Sequence, residues 1–427
     1  MRLLCLSNGH GEDAIAVSIL KALQALPHPP HIDVLPIVGE GHAYGKHHFS
    51  MIGTVKAMPS GGFIYMDSQQ LAKDIQGGLL TLTLEQLKAI RQWAQMTKRS
   101  SESALVLAVG DVVPMFFAWQ SGLPFAFIGT AKSDYYLQDE SGPLERSSWW
   151  DDRFAYVTGS VYYPWERWFM TRPSCKAVFP RDRLTTETLQ NRGVPAYDLG
   201  NPMMDLDLNL DASVQTNSDT ALTILLLPGS RSPEAYRNWD VMMLGVQDLC
   251  AKFDRAVHFL VALSPGLEID RFETVLRQSG WDLAQPKSLE IESWVSAGTG
   301  RKWNFQGPEI VFHLTLGGRS FSEYAYRAKV AIAMAGTATE QVVGLGKPVI
   351  TLSGKGPQFT AAFAEAQTRL LGPSVLHLEH PIQMAHCLTQ LLDSPSVLDN
   401  IASNGRRRMG SSGAADRIAQ TLVDILR

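Results

Sequence analysis

The sequence has few of the features that mark membrane-spanning, disulfide-rich or nucleic-acid-binding proteins. Its four cysteines are widely spaced and form no Cys-x-x-Cys pair, which argues against a disulfide framework or a zinc site and favours core thiols in a reducing compartment. No apolar run reaches the roughly 18 residues of a transmembrane helix, because Asp111 interrupts the one at 104–119. The net charge of -4 does not favour a nucleic-acid partner.

Internal repeats, low-complexity tracts and a signal-peptide pattern are also missing. Residues 2–6 read as a strand that leads directly into a glycine loop, so the sequence predicts a cytoplasmic location. Hydrophobic residues make up 45% of the chain, which argues against disorder and allows sizeable cores. At roughly 100–200 residues per domain, the 427 residues predict two or three domains.

Short apolar strand patterns alternate with helical patterns in both halves of the chain. This alternation is typical of parallel sheets with helical crossovers. A polar, acidic stretch at 205–219 separates the halves and reads as a linker. We therefore expect an α/β protein with two doubly wound domains, at 1–205 and 220–410, facing a cleft. A C-terminal helix at 411–427 is left open to packing against the first domain.

A glycine loop follows the first predicted strand and opens a helix. Gly9 and Gly11 suit close approach of the backbone to a ligand, although the loop lacks the full dinucleotide pattern Gly-x-Gly-x-x-Gly. His10 is a candidate general base because imidazole titrates near neutral pH. Glu12 is a candidate site residue, with the alternative that it only complements the positive end of the helix.

Asp111 follows the buried strand pattern at 104–109. A carboxylate at the carboxyl end of a parallel strand is placed to face a ligand, so Asp111 is a second candidate base. Aspartate is also a preferred helix N-cap, and the sequence leaves this structural role equally open.

Two glycine-containing loops follow predicted strands in the second half. At 228–231, a serine hydroxyl, backbone N–H groups and an arginine suit a phosphate. At 336–341, small residues and hydroxyl groups suit a phosphate at a helix N-terminus, and two further side chains suit ribose hydroxyls. A third loop contributes a glutamine placed to contact a sugar. The candidate residues are Gly229, Ser230, Arg231, Gly336, Thr337, Ala338, Thr339, Glu340, Gln341 and Gln358.

Ordinary structural roles remain open for these loops. The segment 228–231 fits a plain strand-to-helix turn. Thr337 and Glu340 fit the capping-box pattern Ser/Thr-x-x-Glu, which is compatible with phosphate binding in the same turn.

Aromatic residues crowd the segment 149–169, which holds four of the chain's 10 tryptophans. Arginines are interleaved at 153, 167 and 172. This mixture suits a lipid-facing surface, and core packing between domains is an equal alternative. A single-stranded nucleic acid would use similar residues but fits the acidic chain less well.

Five sequence elements, in order, resemble those of lipid-A-disaccharide synthases and related glycosyltransferases. They are an Asp-x-Pro-x-Phe-like element at 109–116, a Val-Gly-His-Pro-Leu-like stretch at 199–203, the LPGSR motif at 227–231, an SGTAT-like motif at 335–339 and a transferase-like tail at 413–419. The first loop departs from that family, and its histidine is more similar to galactolipid synthases and the peptidoglycan GlcNAc transferase. Asn201 replaces the family's usual histidine. The chain thus resembles a divergent member of the group.

The resemblance implies the GT-B fold and an inverting, metal-independent hexosyltransferase with no cofactor. It would move a sugar from a UDP-sugar to a lipid or lipid-linked acceptor, at the inner face of the cytoplasmic membrane. The resemblance favours Asp111 as the base, with His10 as the alternative. Two other functions stay open: a UDP-sugar 2-epimerase, and a catalytically inactive lipid-related binding protein of the same fold.

Overall fold

The chain forms two compact units, one made of Met1–Asp205 with Ser411–Arg427 and the other of Leu206–Gly410. The computed structural model describes residues 1–56, 79–100, 102–144, 157–205, 221–253, 256–283, 301–304, 310–316, 318–354, 356 and 359–426. The linker predicted at 205–219 therefore lies, after its first residue, outside the described residues.

The secondary structure alternates between strands and helices through both units. The strands are β1 Arg2–Ser7, β2 His31–Pro36, β3 Ser50–Met51, β4 Ala104–Gly110, β5 Phe125–Gly129, β6 Gln138–Asp139, β7 Gly142–Pro143, β8 Cys175–Phe179, β9 Leu222–Leu227, β10 Val257–Leu263, β11 Asp282–Leu283, β12 Arg301–Asn304, β13 Ile310–Leu316, β14 Val330–Ala333, β15 Val349–Leu352 and β16 Val375–Leu378. The helices are α1 His10–Gln24, α2 His42–Lys46, α3 Leu79–Arg99, α4 Val112–Gln120, α5 Pro164–Met170, α6 Arg183–Gln190, α7 Glu234–Lys252, α8 Ile269–Gln278, α9 Gly318–Arg327, α10 Thr337–Gly344, α11 Ala361–Leu371, α12 Met384–Leu392, α13 Pro395–Met409 and α14 Ala414–Leu426. Short 3-10 turns lie at Asp134–Tyr136, Pro202–Met204, Gly372–Ser374 and Pro381–Gln383.

The first unit is built on a six-stranded sheet in the order β3-β2-β1-β4-β5-β8, with every neighbouring pair parallel. The central strands β1 and β4 are almost continuous apolar runs. Such runs are typical of parallel strands that are covered by helices on both faces. Two apolar cores lie against the sheet, and one of them includes Ile418 and Leu422 of α14.

The second unit repeats the same winding. Its main sheet runs β13-β10-β9-β14-β15-β16, all parallel, and the antiparallel strands β12 and β11 extend it beyond β13. Counted within each unit, both sheets follow the strand order 3-2-1-4-5-6 of the Rossmann fold. The predicted α/β fold with two Rossmann-like, doubly wound domains is thus confirmed.

The start of the C-terminal helix is held to the first unit by one carboxylate, in addition to its apolar packing. Asp205 accepts hydrogen bonds from the backbone N–H groups of Gly413, Ala414 and Ala415, at 2.5, 3.2 and 2.6 Å. These N–H groups lie at the positive end of α14, where a negative charge is favourable. Asp205 is the last residue before the chain enters the second unit, and residues 413–415 follow its return. The carboxylate therefore joins the two segments of the first unit.

Candidate functional site

Each sheet reverses its winding direction at one point, and the candidate residues that the structure describes lie in the loops at those two points. In the first unit the reversal lies between β1 and β4, and in the second between β9 and β14. In open α/β sheets, ligands bind at such switch points, outside the carboxyl ends of the strands.

In the first unit, the loop after β1 brings a helix N-terminus to the switch point. Gly9 has φ 125° and precedes α1, whose N-terminus has no side-chain cap. Only glycine adopts this backbone conformation readily. The position of Gly11 has open space around its Cα. His10 begins α1, but its side chain lies outside the described residues.

Asp111 connects the ends of the two central strands. Its Oδ1 atom accepts from the N–H of Val113 at 2.8 Å and so caps α4. Its Oδ2 atom accepts from Nδ2 of Asn8 at 2.9 Å. The structural role and the functional position of Asp111 therefore coincide, because the cap faces the loop after β1.

The two carboxylates at this switch point are electrostatically linked. Burial raises the pKa of Glu12, and the neighbouring Asp111 raises it further. Burial also raises the pKa of Asp111, opposed mainly by the hydrogen bond from Val113. The Glu12 side chain also packs closely against the residue before Asp111, since a Cβ atom on Gly110 would lie 3.2 Å from Cγ of Glu12. A raised pKa makes a carboxylate a stronger base, which suits removal of a proton from a hydroxyl.

Three residues at this edge were not singled out from the sequence. Thr130 donates to Oε1 of Glu12 at 3.3 Å. Lys132 forms an ion pair with Glu166 at 2.5 Å, and Glu166 is only 1% exposed. The Lys132 charge lowers the pKa of Asp111 and the Glu166 charge raises it. Their positions just after β5 and on α5 are the only sequence signals that pointed to them.

A series of buried hydrogen bonds lies next to the glycine loop. Ser7 donates to Oδ1 of Asp13 at 2.5 Å, and the Tyr44 hydroxyl donates to Ser7 at 2.6 Å. Burial raises the pKa of Asp13 to about 6, against the lowering effect of Ser7. These hydrogen bonds fix the end of β1 to the first turn of α1.

In the second unit, the loop after β9 is held in close contact with β14. Gly229 has φ 108°, and a Cβ atom added there would lie 3.2 Å from the carbonyl oxygen of Met334. Buried Asn238 donates to the Pro228 carbonyl at 2.9 Å. Ser230 and Arg231 are exposed. The glycine thus allows the close approach, and the polar side chains after it face solvent.

The loop after β14 leads into α10 through Gly336. The helix begins at Thr337, and Gly336 is its N-cap without any side-chain cap. The capping box considered for Thr337 and Glu340 is therefore not formed. Thr337 is exposed and Ala338 partly exposed, whereas Thr339 and Glu340 are buried and Gln341 is partly exposed. An uncapped N-terminus leaves backbone N–H groups for an anion.

The loop after β15 is attached to the start of α7. Buried Glu234 accepts from the N–H of Phe359 at 2.7 Å. Gly356 allows this contact, because a Cβ atom there would clash with the Glu234 carboxylate. Gln358 lies outside the described residues.

Residues on and around α5 form a surface in the first unit, which we call the α5 surface. It consists of the exposed Val157, Trp165, Trp168 and Arg192 and the partly exposed Arg167 and Arg172. Trp165 is 51% exposed and Trp168 is 43% exposed. The Arg172 guanidinium lies 3.9 Å from the centre of the Trp168 ring. The aromatic residues that the sequence has at 149–156 lie outside the described residues. Among the described helices, none is both long and apolar enough to cross a membrane.

No known protein family matches the sequence, and no curated protein sequence matches it either. The fold is similar to several solved structures over almost the full chain. UDP-GlcNAc 2-epimerase from Neisseria meningitidis, bound to UDP-GlcNAc, has a TM-score of 0.55 at 14% identity, covering 99% of this chain and 100% of that one. S. aureus MnaA in a structure with UDP has a TM-score of 0.55 at 11% identity, covering 100% and 98%.

MurG from Acinetobacter baumannii is similar as well, with a TM-score of 0.52 at 11% identity, covering 99% of each chain. At such low identity these likenesses establish the fold. The chain shares the GT-B architecture of two Rossmann-like domains with all three proteins.

Proposed function

We propose that this chain is a glycosyltransferase that moves a sugar from a UDP-sugar to a lipid or lipid-linked hydroxyl acceptor. The observation that carries the proposal is the contrast between the two switch points. The one in the second unit offers helix N–H groups and an arginine, which suit a diphosphate. The one in the first unit offers carboxylates with raised pKa values, which suit proton removal from a hydroxyl.

The donor would be held by the second unit. The N–H groups at the start of α10 would receive the diphosphate, and the Arg231 guanidinium would add a permanent positive charge. Ser230 and Thr337 are exposed hydroxyls beside these groups, whereas Glu340 and Gln341 would reach the ribose. The charge that develops on departing UDP would be stabilised by the same donors.

The transfer step would form one bond and break one. The acceptor oxygen attacks the anomeric carbon of the sugar, the bond from that carbon to the β-phosphate oxygen breaks, and UDP leaves. The hydroxyl proton passes to a base of the first unit. The proposed base is the Asp111 carboxylate, and the His10 imidazole is the alternative. Attack opposite to the leaving group inverts the anomeric carbon.

A lipid acceptor is supported by the α5 surface. Exposed tryptophans prefer the boundary between lipid and water. Arg167 and Arg192 both donate to the Thr158 carbonyl, at 3.3 and 3.2 Å, beside the 78% exposed Val157. Cations around an apolar patch suit anionic lipid headgroups. The proposal therefore includes peripheral binding to a membrane surface.

A UDP-sugar 2-epimerase is the second candidate, favoured by the likeness to the fold of UDP-GlcNAc 2-epimerase from Neisseria meningitidis. Epimerisation would also use the carboxylates of the first unit, since a proton must leave and return at the sugar's C2 carbon. It needs no acceptor and no membrane. A catalytically inactive binding protein would bind the nucleotide without turnover.

The experiment that separates these candidates follows UDP-GlcNAc by NMR, first alone and then with an acceptor panel. The panel contains detergent-dispersed diacylglycerol, a glycosyl diacylglycerol and a polyprenyl-diphosphate-linked sugar. A transferase leaves UDP-GlcNAc unchanged until an acceptor is added and then releases UDP. Formation of the 2-epimer without any acceptor would replace the transferase proposal by the epimerase. The same assay is repeated with UDP-glucose and UDP-galactose.

A further inference from the structure

A buried glutamine on α11 contacts the loop that precedes α10. Gln367 is 2% exposed, and its Nε2 atom donates to the Ala335 carbonyl at 3.0 Å. Thr339, which is fully buried, donates to the same carbonyl at 2.7 Å. Two side chains from two different helices thus converge on one backbone oxygen. An ordinary helix start does not need this arrangement.

The direction of that carbonyl determines where the next N–H group points. In a trans peptide the carbonyl of one residue and the N–H of the following residue point in opposite directions. When Gln367 and Thr339 hold the Ala335 oxygen inside the unit, the N–H of Gly336 is turned away from them. Among the described residues, no backbone carbonyl accepts a hydrogen bond from the Gly336 N–H.

The amide oxygen of Gln367 lacks a hydrogen-bond partner among the described residues. This Oε1 atom is buried. The amide orientation follows from the contact, since only the NH₂ group can donate to a carbonyl. A buried amide oxygen without a partner is costly for the fold, so the position is not optimised for stability alone.

We propose that Gln367 is a positioning residue for the diphosphate of the bound nucleotide: with Thr339 it orients the Ala335–Gly336 peptide so that the N–H groups of Gly336 and the first turn of α10 bind phosphate oxygens. This inference depends on the proposed function, because it takes the ligand to be a uridine nucleotide. It assigns Gln367 no contact with the sugar and no part in proton transfer.

The test compares UDP with uridine, which lacks the phosphates, by calorimetry on the full-length protein. Gln367→Met keeps the side-chain length and apolar packing but removes the donor. We expect the Kd for UDP to rise about tenfold, as for loss of an oriented donor, whereas the Kd for uridine changes less than twofold. Thr339→Val should act in the same direction, and the double variant should exceed either single one.

Thr368→Val is the matched control, because its hydroxyl also donates to a backbone carbonyl on α11, that of Glu365 at 2.6 Å. It should leave both affinities unchanged. Equal losses for UDP and uridine in Gln367→Met, or no loss for either, would overturn the positioning role even if the melting temperature falls. Failure of the unaltered protein to bind UDP would instead overturn the proposed function on which the inference rests.

Discussion

The Asn8 side chain donates a hydrogen bond of 2.9 Å to the Asp111 carboxylate, which joins the ends of β1 and β4 at the switch point of the first unit. The other carboxylate oxygen of Asp111 is occupied by the Val113 N–H at the start of α4. The side chain is therefore held in one orientation by two donors. A fixed carboxylate with a raised pKa is what a general base requires, and preorganisation of this kind is expected at a catalytic site.

Asp111→Asn should reduce sugar transfer about a hundredfold or more, because the amide cannot take the acceptor proton. Asparagine still caps a helix, so the free energy of unfolding should fall by no more than about 1 kcal/mol. UDP release with the acceptor panel measures the first effect and denaturant unfolding the second. Asp182→Asn is the matched control, since Asp182 caps α6 in the same way. Near-normal transfer by the Asp111 variant would remove this residue from the mechanism.

Arg231→Ala should weaken UDP binding about tenfold or more, because a guanidinium contributes charge-assisted hydrogen bonds to a phosphate. Binding of uridine should change little, since it has no phosphate. Arg237→Ala provides the control, because Arg237 is an exposed arginine on α7, close to Arg231 in the sequence. Similar losses in the two arginine variants would indicate a general charge effect and contradict a specific role for Arg231.

Acidic pH should stabilise the fold through Asp13. Burial raises its pKa to about 6, whereas an aspartate in the unfolded chain titrates near 3.9. Between about pH 4 and 6 the folded protein therefore holds a proton that the unfolded chain has released. The free energy of unfolding should fall as pH rises through this window, by on the order of 2 kcal/mol, and the contribution of Asp13 should level off above it.

Asp13→Asn should flatten part of this slope, measured as denaturant unfolding at a series of pH values. Asp134 is a second contributor, because burial also raises its pKa to about 6. Asp134→Asn should remove its own share, and the double variant should have a smaller slope than either single variant, with the remainder coming from other buried carboxylates such as Glu12 and Asp111. A slope that is unchanged in Asp13→Asn would show that the ionisation of this residue is not coupled to folding.

Replacing Trp165 and Trp168 by alanine should weaken binding to vesicles of phosphatidylglycerol, because each exposed indole contributes apolar area at the lipid boundary. Vesicle sedimentation measures the bound fraction, and we expect a loss of about tenfold or more. Tyr197→Ala tests specificity, since Tyr197 is a 40% exposed aromatic residue in the same unit. If the protein shows no vesicle affinity in the first place, the membrane part of the proposal fails.

Most of the fold could be predicted because strand ends and glycine loops are local in sequence. The run Leu225-Leu226-Leu227 followed by Pro228 and Gly229 signals a buried parallel strand and a tight turn without any knowledge of the partner strand. The parallel pairing of β1 with β4 and of β9 with β14 joins strands about a hundred residues apart, and the alternating pattern predicted parallel sheets without this strand order. The loops after β1, β4, β9 and β14 could nevertheless be recognised in the sequence as candidate ligand-binding loops.

Contacts between distant segments could not be predicted. Lys132 and Glu166 form their ion pair across 34 residues, and Gln367 reaches Ala335 across 32. Nothing in the local pattern of Gln367 distinguishes it from any other polar residue on a helix. The capping box left open for Thr337 and Glu340 does not form, because the helix begins at Thr337 with Gly336 as its N-cap.

Calorimetric titration with UDP, UDP-GlcNAc, UDP-glucose and UDP-galactose, with NADH as the control ligand, tests the central claim most directly. A UDP-sugar enzyme should bind UDP, should bind one of the UDP-sugars more tightly than the others, and should not respond to NADH. Arg231→Ala should reduce these affinities in parallel. The absence of binding by every uridine nucleotide would contradict the account and leave the glycine loops at both switch points as features of the fold alone.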